Sequence, residues 1–195
     1  MNKKIVAGVV VGALVVVGAG YFIYQAKAPV VVPEVPVVSE PKPVLGDHKN
    51  ASYDIDGKSL TLINGRAESA LGVDSADKLV TQYFGNEVRA DFNDDGHEDV
   101  AFLLTQNSGG SGTFYYVAVW LSVGDAYKGT NAILLGDRIA PQTTEWLDGE
   151  IVVNYAERKA GEAMTVSPSV GVSRYFQVAD GVLIERKLAP VGTGK

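Results

Sequence analysis

The chain has 195 residues, 46% of them hydrophobic, with a formal net charge of −6 at pH 7 and no cysteine. That length supports one domain with its own core, and the missing cysteine excludes disulfides, thiolate nucleophiles, cysteine-type zinc sites and a lipoprotein anchor. Four of the 17 bases and two of the 23 acids precede residue 47, so residues 47–195 carry a net charge of −8, which argues against nucleic acid and anionic lipid surfaces as partners.

After "MNKK", the 20 residues Ile5 to Tyr24 contain no charge, and as a helix they would span about 30 Å, the thickness of a bilayer's hydrocarbon core. Lys3 and Lys4 suit the cytoplasmic side, and Tyr21 and Tyr24 the far interface. The reading is an N-terminal transmembrane helix over residues 1–25, a single-pass anchor in the cell (inner) membrane with the remainder extracytoplasmic. A cleaved signal peptide competes, with a small-x-small site at Ala26 and Ala28. Pro29 after the cut and an apolar run longer than the usual roughly 7–15 residues weigh against it. Gly8 and Gly12 form a G-x-x-x-G, a face for weak helix dimerisation. Residues 26–46 contain five prolines, which forbid helix and leave an extended spacer that reaches about 60 Å at about 3.1 Å per residue.

From Asp47 the texture is that of strands. Asp56-Gly57, Asp148-Gly149 and Asp180-Gly181 each sit between alternating runs and predict two-residue hairpins. Ser75 to Gly85 reads either as a helix capped by Ser75, with Leu79, Val80 and Tyr83 on one face, or as a β-branched strand. "VAFLLTQ" and "TFYYVAVWLSV" are apolar enough for central strands, joined by "NSGGSG", and "NAILLGDRIA" is a further strand. The fold class predicted for residues 47–190 is mainly β: an antiparallel meander of roughly eight to ten strands, closed as a sandwich or strongly curved sheet, with at most one short helix. Residues 191–195 read as a flexible tail.

The most informative stretch is "DFNDDGHEDVAFLL". It places five carboxylates among the nine residues Asp91 to Asp99, with no Lys or Arg between them. Counting from Asp91, oxygen-bearing side chains fall at the first, third, fifth and ninth positions (Asp91, Asn93, Asp95, Asp99), with Gly96 at the sixth. Alternate positions of a tight loop converge inward, and a hard cation wants oxygen ligands. Gly96 permits the reversal that turns the His97 carbonyl inward, leaving Asp94 and Glu98 to solvent. Three converging carboxylates repel one another unless a cation such as Ca2+ sits between them.

This D-x-N-x-D-G-x-x-D pattern resembles the calcium loops of FG-GAP repeats in integrin-α-type propellers and those of dockerin modules. The resemblance implies side-chain ligation of Ca2+ by Asp91, Asn93, Asp95 and Asp99, with His97 contributing its backbone carbonyl. It covers about fifteen residues. Phe102 stands where an EF-hand places its bidentate Glu, which excludes that motif, and a single copy cannot build a propeller. The expected affinity is modest, about 10⁻⁴ to 10⁻³ M, as in extracellular modules.

Elsewhere, "NSGGSGTFYY" lacks the Lys-Ser/Thr ending of a phosphate-binding loop. Tyr115, Tyr116, Trp120, Trp146 and Tyr155 read either as core or as the lining of a sugar or peptide groove. With two histidines, His48 and His97, no G-x-S-x-G and no zinc-spaced His pair, catalysis is not expected. The string from Ala101 through Tyr155 resembles an uncharacterised extracytoplasmic β domain of bacterial envelope proteins, and "SGTFYY" is similar to the Ser-Gly-x-x-Tyr element of C-type lysozyme inhibitors. The expected function is therefore a membrane-anchored calcium-binding β domain with a binding or envelope-structural role, facing an envelope glycan or protein. Inhibition of a cell-wall hydrolase is the alternative, and carboxylate-dependent glycoside hydrolysis a weaker one.

Overall fold

In the computed structural model, residues 46–71, 77–123 and 126–187 are described. The expected anchor with Gly8 and Gly12, the linker up to residue 45, Ser75 and the tail lie outside them. Among the described residues there are twelve strands and no helix: β1 Ser52–Ile55, β2 Lys58–Thr61, β3 Arg66–Ala70, β4 Lys78–Ala90, β5 Asp99–Asn107, β6 Phe114–Val123, β7 Ala126–Gly129, β8 Asn131–Asp137, β9 Ala140–Leu147, β10 Glu150–Glu157, β11 Val170–Ala179 and β12 Val182–Arg186. The three Asp-Gly dipeptides make the β1–β2, β9–β10 and β11–β12 hairpins, each Asp and Gly at positive φ (53° and 75° at Asp56-Gly57) as such turns require. Asn64-Gly65 makes a fourth turn of this kind before β3.

Of the two readings of Ser75–Gly85, the strand prevails. From Lys78 the chain enters β4, pairing with β3 on one side and β5 on the other. The β-branched and aromatic residues Val80, Thr81, Tyr83 and Phe84 suit a pleated surface, and paired neighbours on both edges outweigh local helix propensity.

β5 and β6 are buried on both faces, which is why their sequences run apolar without alternation. They lie in an eight-stranded sheet of order β2-β1-β8-β6-β5-β4-β3, with β7 also pairing β6. All its pairings are antiparallel except β1 with β8, where Asp54 and Ile55 lie beside Asn131 and Ala132 in parallel. This departs from the expected all-antiparallel meander. β7 and β8 occupy one edge of β6 in succession, and the first hairpin docks on the edge of β8 that remains free.

The sheet curls until it nearly closes. Register shifts in β4 at Tyr83/Gly85 and Gly85/Val88 bend it, and the Ile63–Arg66 bridge draws its two ends together. Inside the curl, Val100, Phe102 and Leu104 pack with Tyr116, Ala118, Trp120, Tyr53 and Leu62. On the outer face, Ala101, Leu103, Val117, Val119 and Leu121 meet Ile151, Val153, Tyr155, Phe176 and Leu183 of a second sheet, ordered β12-β11-β10-β9. The sheets are also joined by polar contacts. The Asn131 side chain donates to the Leu183 carbonyl (3.0 Å) and accepts its N–H (2.9 Å). Arg174, paired in fork geometry with Glu185 (2.7 and 2.6 Å), donates to the Leu134 carbonyl of β8 (2.6 Å).

Candidate metal loop and adjoining cleft

The acidic loop joins β4 to β5 and is anchored by Phe92, which is buried in the core between the sheets with its ring 5.0 Å from that of Trp146. This apolar pin between Asp91 and Asn93 is a feature the sequence reading overlooked. Around it the alternate oxygens turn inward and meet backbone amides. Asp91 accepts from Asn93 (3.3 Å) and Asp95 (3.1 Å) on Oδ1 and from Gly96 (2.7 Å) on Oδ2. Asp95 accepts the His97 N–H (2.9 Å) and the Asn93 carboxamide (3.1 Å). Asp94 and Gly96 take positive φ, 58° and 84°. A side chain at Gly96 would meet nothing within 4 Å, so the glycine serves the backbone turn rather than a close approach.

Asp99, the first residue of β5, is fully buried. Its Oδ1 accepts the Ser122 N–H of β6 (2.8 Å) and its Oδ2 the Phe92 N–H (2.9 Å). Burial nevertheless pushes its pKa up, and the charges of Asp95 and Asp91 push the same way. At Asp91 desolvation works upward too, but the amides of Gly96, Asp95, Asn93 and Asp94 outweigh it and hold the carboxyl below its ordinary value. Among the described residues none of these three carboxylates has a Lys or Arg ion-pair partner. Arg89, which flanks the loop, turns instead to Glu87 (3.2 Å) and Glu98 (3.4 Å).

Asp91, Asn93 and Asp95 are thus brought into one hydrogen-bonded turn and Asp99 sits at its base; Asp94 and Glu98 are exposed as expected, but so is Asp95, which was expected to face inward. The donor chemistry fits a hard cation, since every side chain is oxygen-bearing and each Asp99 oxygen keeps acceptor capacity beyond its one amide. The convergence is incomplete: among the described residues no three Asp, Glu or His side chains stand close enough to share one ion. The inward oxygens are engaged by the loop's own N–H groups.

Beside the loop opens a cleft of about 440 Å3. The loop supplies one wall through His97 and Glu98, the lead-in turn Gly46–His48 another, and Arg89, Ser122, Trp120 and Tyr127 complete it. Both histidines of the chain therefore meet here, a convergence invisible in a sequence that separates them by 49 positions. His48 is buried among the rings of Tyr83, Phe102 and Trp120. Its Nε2 lies 3.2 Å from Glu87 and its Nδ1 3.4 Å from Asp47. Burial lowers the imidazole pKa against the opposing pull of Glu87 and Asp47. Burial raises the Tyr83 hydroxyl to about 12, aided by its hydrogen bond to Glu87 (2.8 Å).

Of the five aromatic residues read as core or as groove lining, Trp120 borders the cleft. Tyr116, Trp120 and Tyr155 are core, Trp146 lies on Phe92, and Tyr115 meets Phe84 edge-on at 5.2 Å. The exposed ring beside the cleft is Tyr127, stacked parallel on Trp120 at 4.2 Å, and its polar neighbours in "DAYKG" gave no sign of it. No protein-family model, curated protein or solved structure matches the chain, so its function has to be read from these residues. No helix among the described residues is long and apolar enough to cross a membrane.

Proposed function

We propose that the protein is a membrane-tethered, extracytoplasmic β domain whose Asp91–Asp99 loop takes up Ca2+, with a binding or envelope-structural role and no catalysis of its own. The observation that carries this reading is Asp99, a fully buried carboxylate on which Asp91 and Asp95 act as like charges, with no basic residue of the described chain paired to any of the three. Asp91, Asn93, Asp95 and Asp99 would hold the ion through side-chain oxygens and His97 through its carbonyl, as the likeness to FG-GAP and dockerin loops implies. Bound there, Ca2+ supplies neutralisation of the mutual repulsion, which is stability by ligand linkage in a domain without disulfides. The residues' own part is positional: Phe92 pins the loop, Gly96 reverses it, and Asp99 ties it to β5 and β6.

The test is thermal melting of the full chain in detergent, with Ca2+ or with a chelator, for the parent and Asp95→Ala. At Ca2+ about 100-fold above the dissociation constant, linkage adds about 2.7 kcal/mol, and the parent should melt several degrees higher while the variant does not respond. Identical melting of the parent with and without Ca2+ removes the metal from the reading.

A further inference from the structure

The curled sheet is left open along one seam. Its end strands, β2 and β3, follow each other through the Asn64-Gly65 turn and meet at the Ile63–Arg66 bridge, whose two hydrogen bonds measure 2.9 and 3.1 Å. A hairpin in this register would next pair Thr61 with Glu68 and then Ser59 with Ala70. Neither pair forms, and β2 and β3 stay the two ends of the strand order. Between them lies a hollow of about 330 Å3, with Leu60 and Thr61 on one side, Ala67 and Glu68 on the other, and Thr81 of β4 behind.

The backbone groups that face the seam follow from the register. The Leu62 N–H donates to the Ala51 carbonyl (2.9 Å) and the Tyr83 N–H to the Gly65 carbonyl (2.7 Å). Along an antiparallel strand every second residue bonds the same neighbour. Leu60 therefore bonds β1 and Ala67 bonds β4. Ser59 and Thr61 on one edge, and Glu68 and Ala70 on the other, turn their N–H and C=O groups toward the seam. All four are exposed, and among the described residues no strand pairs with those two edges beyond the bridge.

Such a row of donors and acceptors is a template for an extended chain, and a row on each side restricts the occupant. The edge strand of a folded sheet already has one neighbour, so a second copy docking by an edge would leave one wall unmet. An occupant that bonds both walls is an isolated extended segment with an N–H at every position. The chain's own residues 26–46 fail this requirement, because five prolines interrupt them. The charged groups lining the hollow, Arg66 and Glu68, are already paired at 2.7 Å, so a strongly basic or acidic segment finds no free partner. Leu60 and Ala67 pack against the core inside the curl while Ser59 and Thr61 are exposed, so the segment's apolar side chains belong on one face and its polar ones on the other. We propose that the seam takes up, as an added strand, an uncharged and proline-free extended segment of another protein with apolar residues at alternate positions. The lengths of β2 and β3 match four or five residues of it. The inference gives the binding role proposed above a class of partner and does not involve the calcium.

The experiment is isothermal titration of the full chain in detergent with a capped hexapeptide of alternating threonine and valine, and with the same peptide N-methylated at each valine. The first should bind with a dissociation constant of about 100 μM or tighter, and the second at least about tenfold more weakly, because it cannot donate to one wall. Thr61→Pro removes one N–H aimed at the seam and spares the bonds to β1, a place where an edge tolerates proline; it should weaken binding roughly tenfold. Thr61→Ala keeps the N–H and should bind like the parent. Amide exchange in the parent decides the matter if the proline variant melts low: the Ser59, Thr61, Glu68 and Ala70 N–H groups should exchange fast alone and at least about tenfold more slowly with peptide bound. No saturable binding, equal binding of the N-methylated peptide, unchanged exchange at those four groups, or a dimer that already protects them without peptide overturns the proposal. Titration and melting are each run with Ca2+ and with chelator. A melting response to Ca2+ without peptide binding sinks the seam alone; peptide binding without that response sinks the metal alone.

Discussion

Asp99→Ala in the metal-free protein tests the account of the loop most directly. The Asp99 carboxylate takes the N–H of Phe92 (2.9 Å) and of Ser122 (2.8 Å), and both residues are buried, at 6% and 7% exposure. Alanine leaves two buried amides without acceptors, at about 1–3 kcal/mol each, a gross loss of about 2–6 kcal/mol. Removing a buried charge that Asp95 and Asp91 oppose returns part of this, so the net loss expected is about 1–4 kcal/mol. Asp99→Asn keeps one acceptor and removes the charge, so it should fall between the parent and alanine. Urea unfolding of the full chain with chelator present, analysed by linear extrapolation at constant slope, reads these differences. A loss below about 0.5 kcal/mol for Asp99→Ala, the range of an ordinary surface substitution, would mean that the two amides find other partners and that Asp99 is not the base of the loop.

Two further outcomes follow from the packing and electrostatics. His48 has its pKa lowered by burial, so the unfolded chain takes up the proton first, and the stability contributed by the neutral imidazole is present above about pH 6.5 and lost as pH falls toward the folded value. Urea midpoints between about pH 7.5 and 5 should therefore decline more steeply in the parent than in His48→Gln, and a parent that gains stability over that window contradicts the burial argument. At Gly129 an added Cβ would lie 2.1 Å from the Ser52 carbonyl and 2.7 Å from the Tyr53 ring, against backbone and a fully buried side chain. Gly129→Ala should cost about 3 kcal/mol or more in urea unfolding, and an unchanged midpoint would show that β7 does not approach β1 as closely as described.

The parts of the fold legible in the sequence are those decided by neighbouring residues. Asp56-Gly57, Asp148-Gly149 and Asp180-Gly181 announce their hairpins because positive φ is a local demand, and "VAFLLTQ" and "TFYYVAVWLSV" announce burial on both faces. The strand at Val80–Phe84 was ambiguous because its apolar spacing suits both periods, and only the pairing of β4 with β3 and β5 decides between them. The parallel pairing of β1 with β8 joins residues some 77 positions apart and leaves no local trace. The same division holds at the site. The spacing of Asp91, Asn93, Asp95 and Gly96 implied a tight turn converging on a cation; the structure has the turn, with Asp91 and Asp95 accepting the loop's own N–H groups, while among the described residues no three acidic side chains stand close enough to share one ion. That those oxygens meet amides, that Phe92 pins the turn, and that His48 arrives beside it from another segment are tertiary facts.

Ser122 links the loop to the cleft. Its N–H is held by Asp99, and its residue lines the cleft that His97 and Glu98 wall from the loop side. A change that shifts Asp99 therefore acts on the end of β6, where Trp120 carries Tyr127 on its ring face. The path is short and made of buried contacts, which transmit displacement because a close-packed interior has little slack. On this geometry Asp99 is joined to the end of β6 through the Ser122 N–H, and Trp120, two residues earlier on that strand, holds the Tyr127 ring.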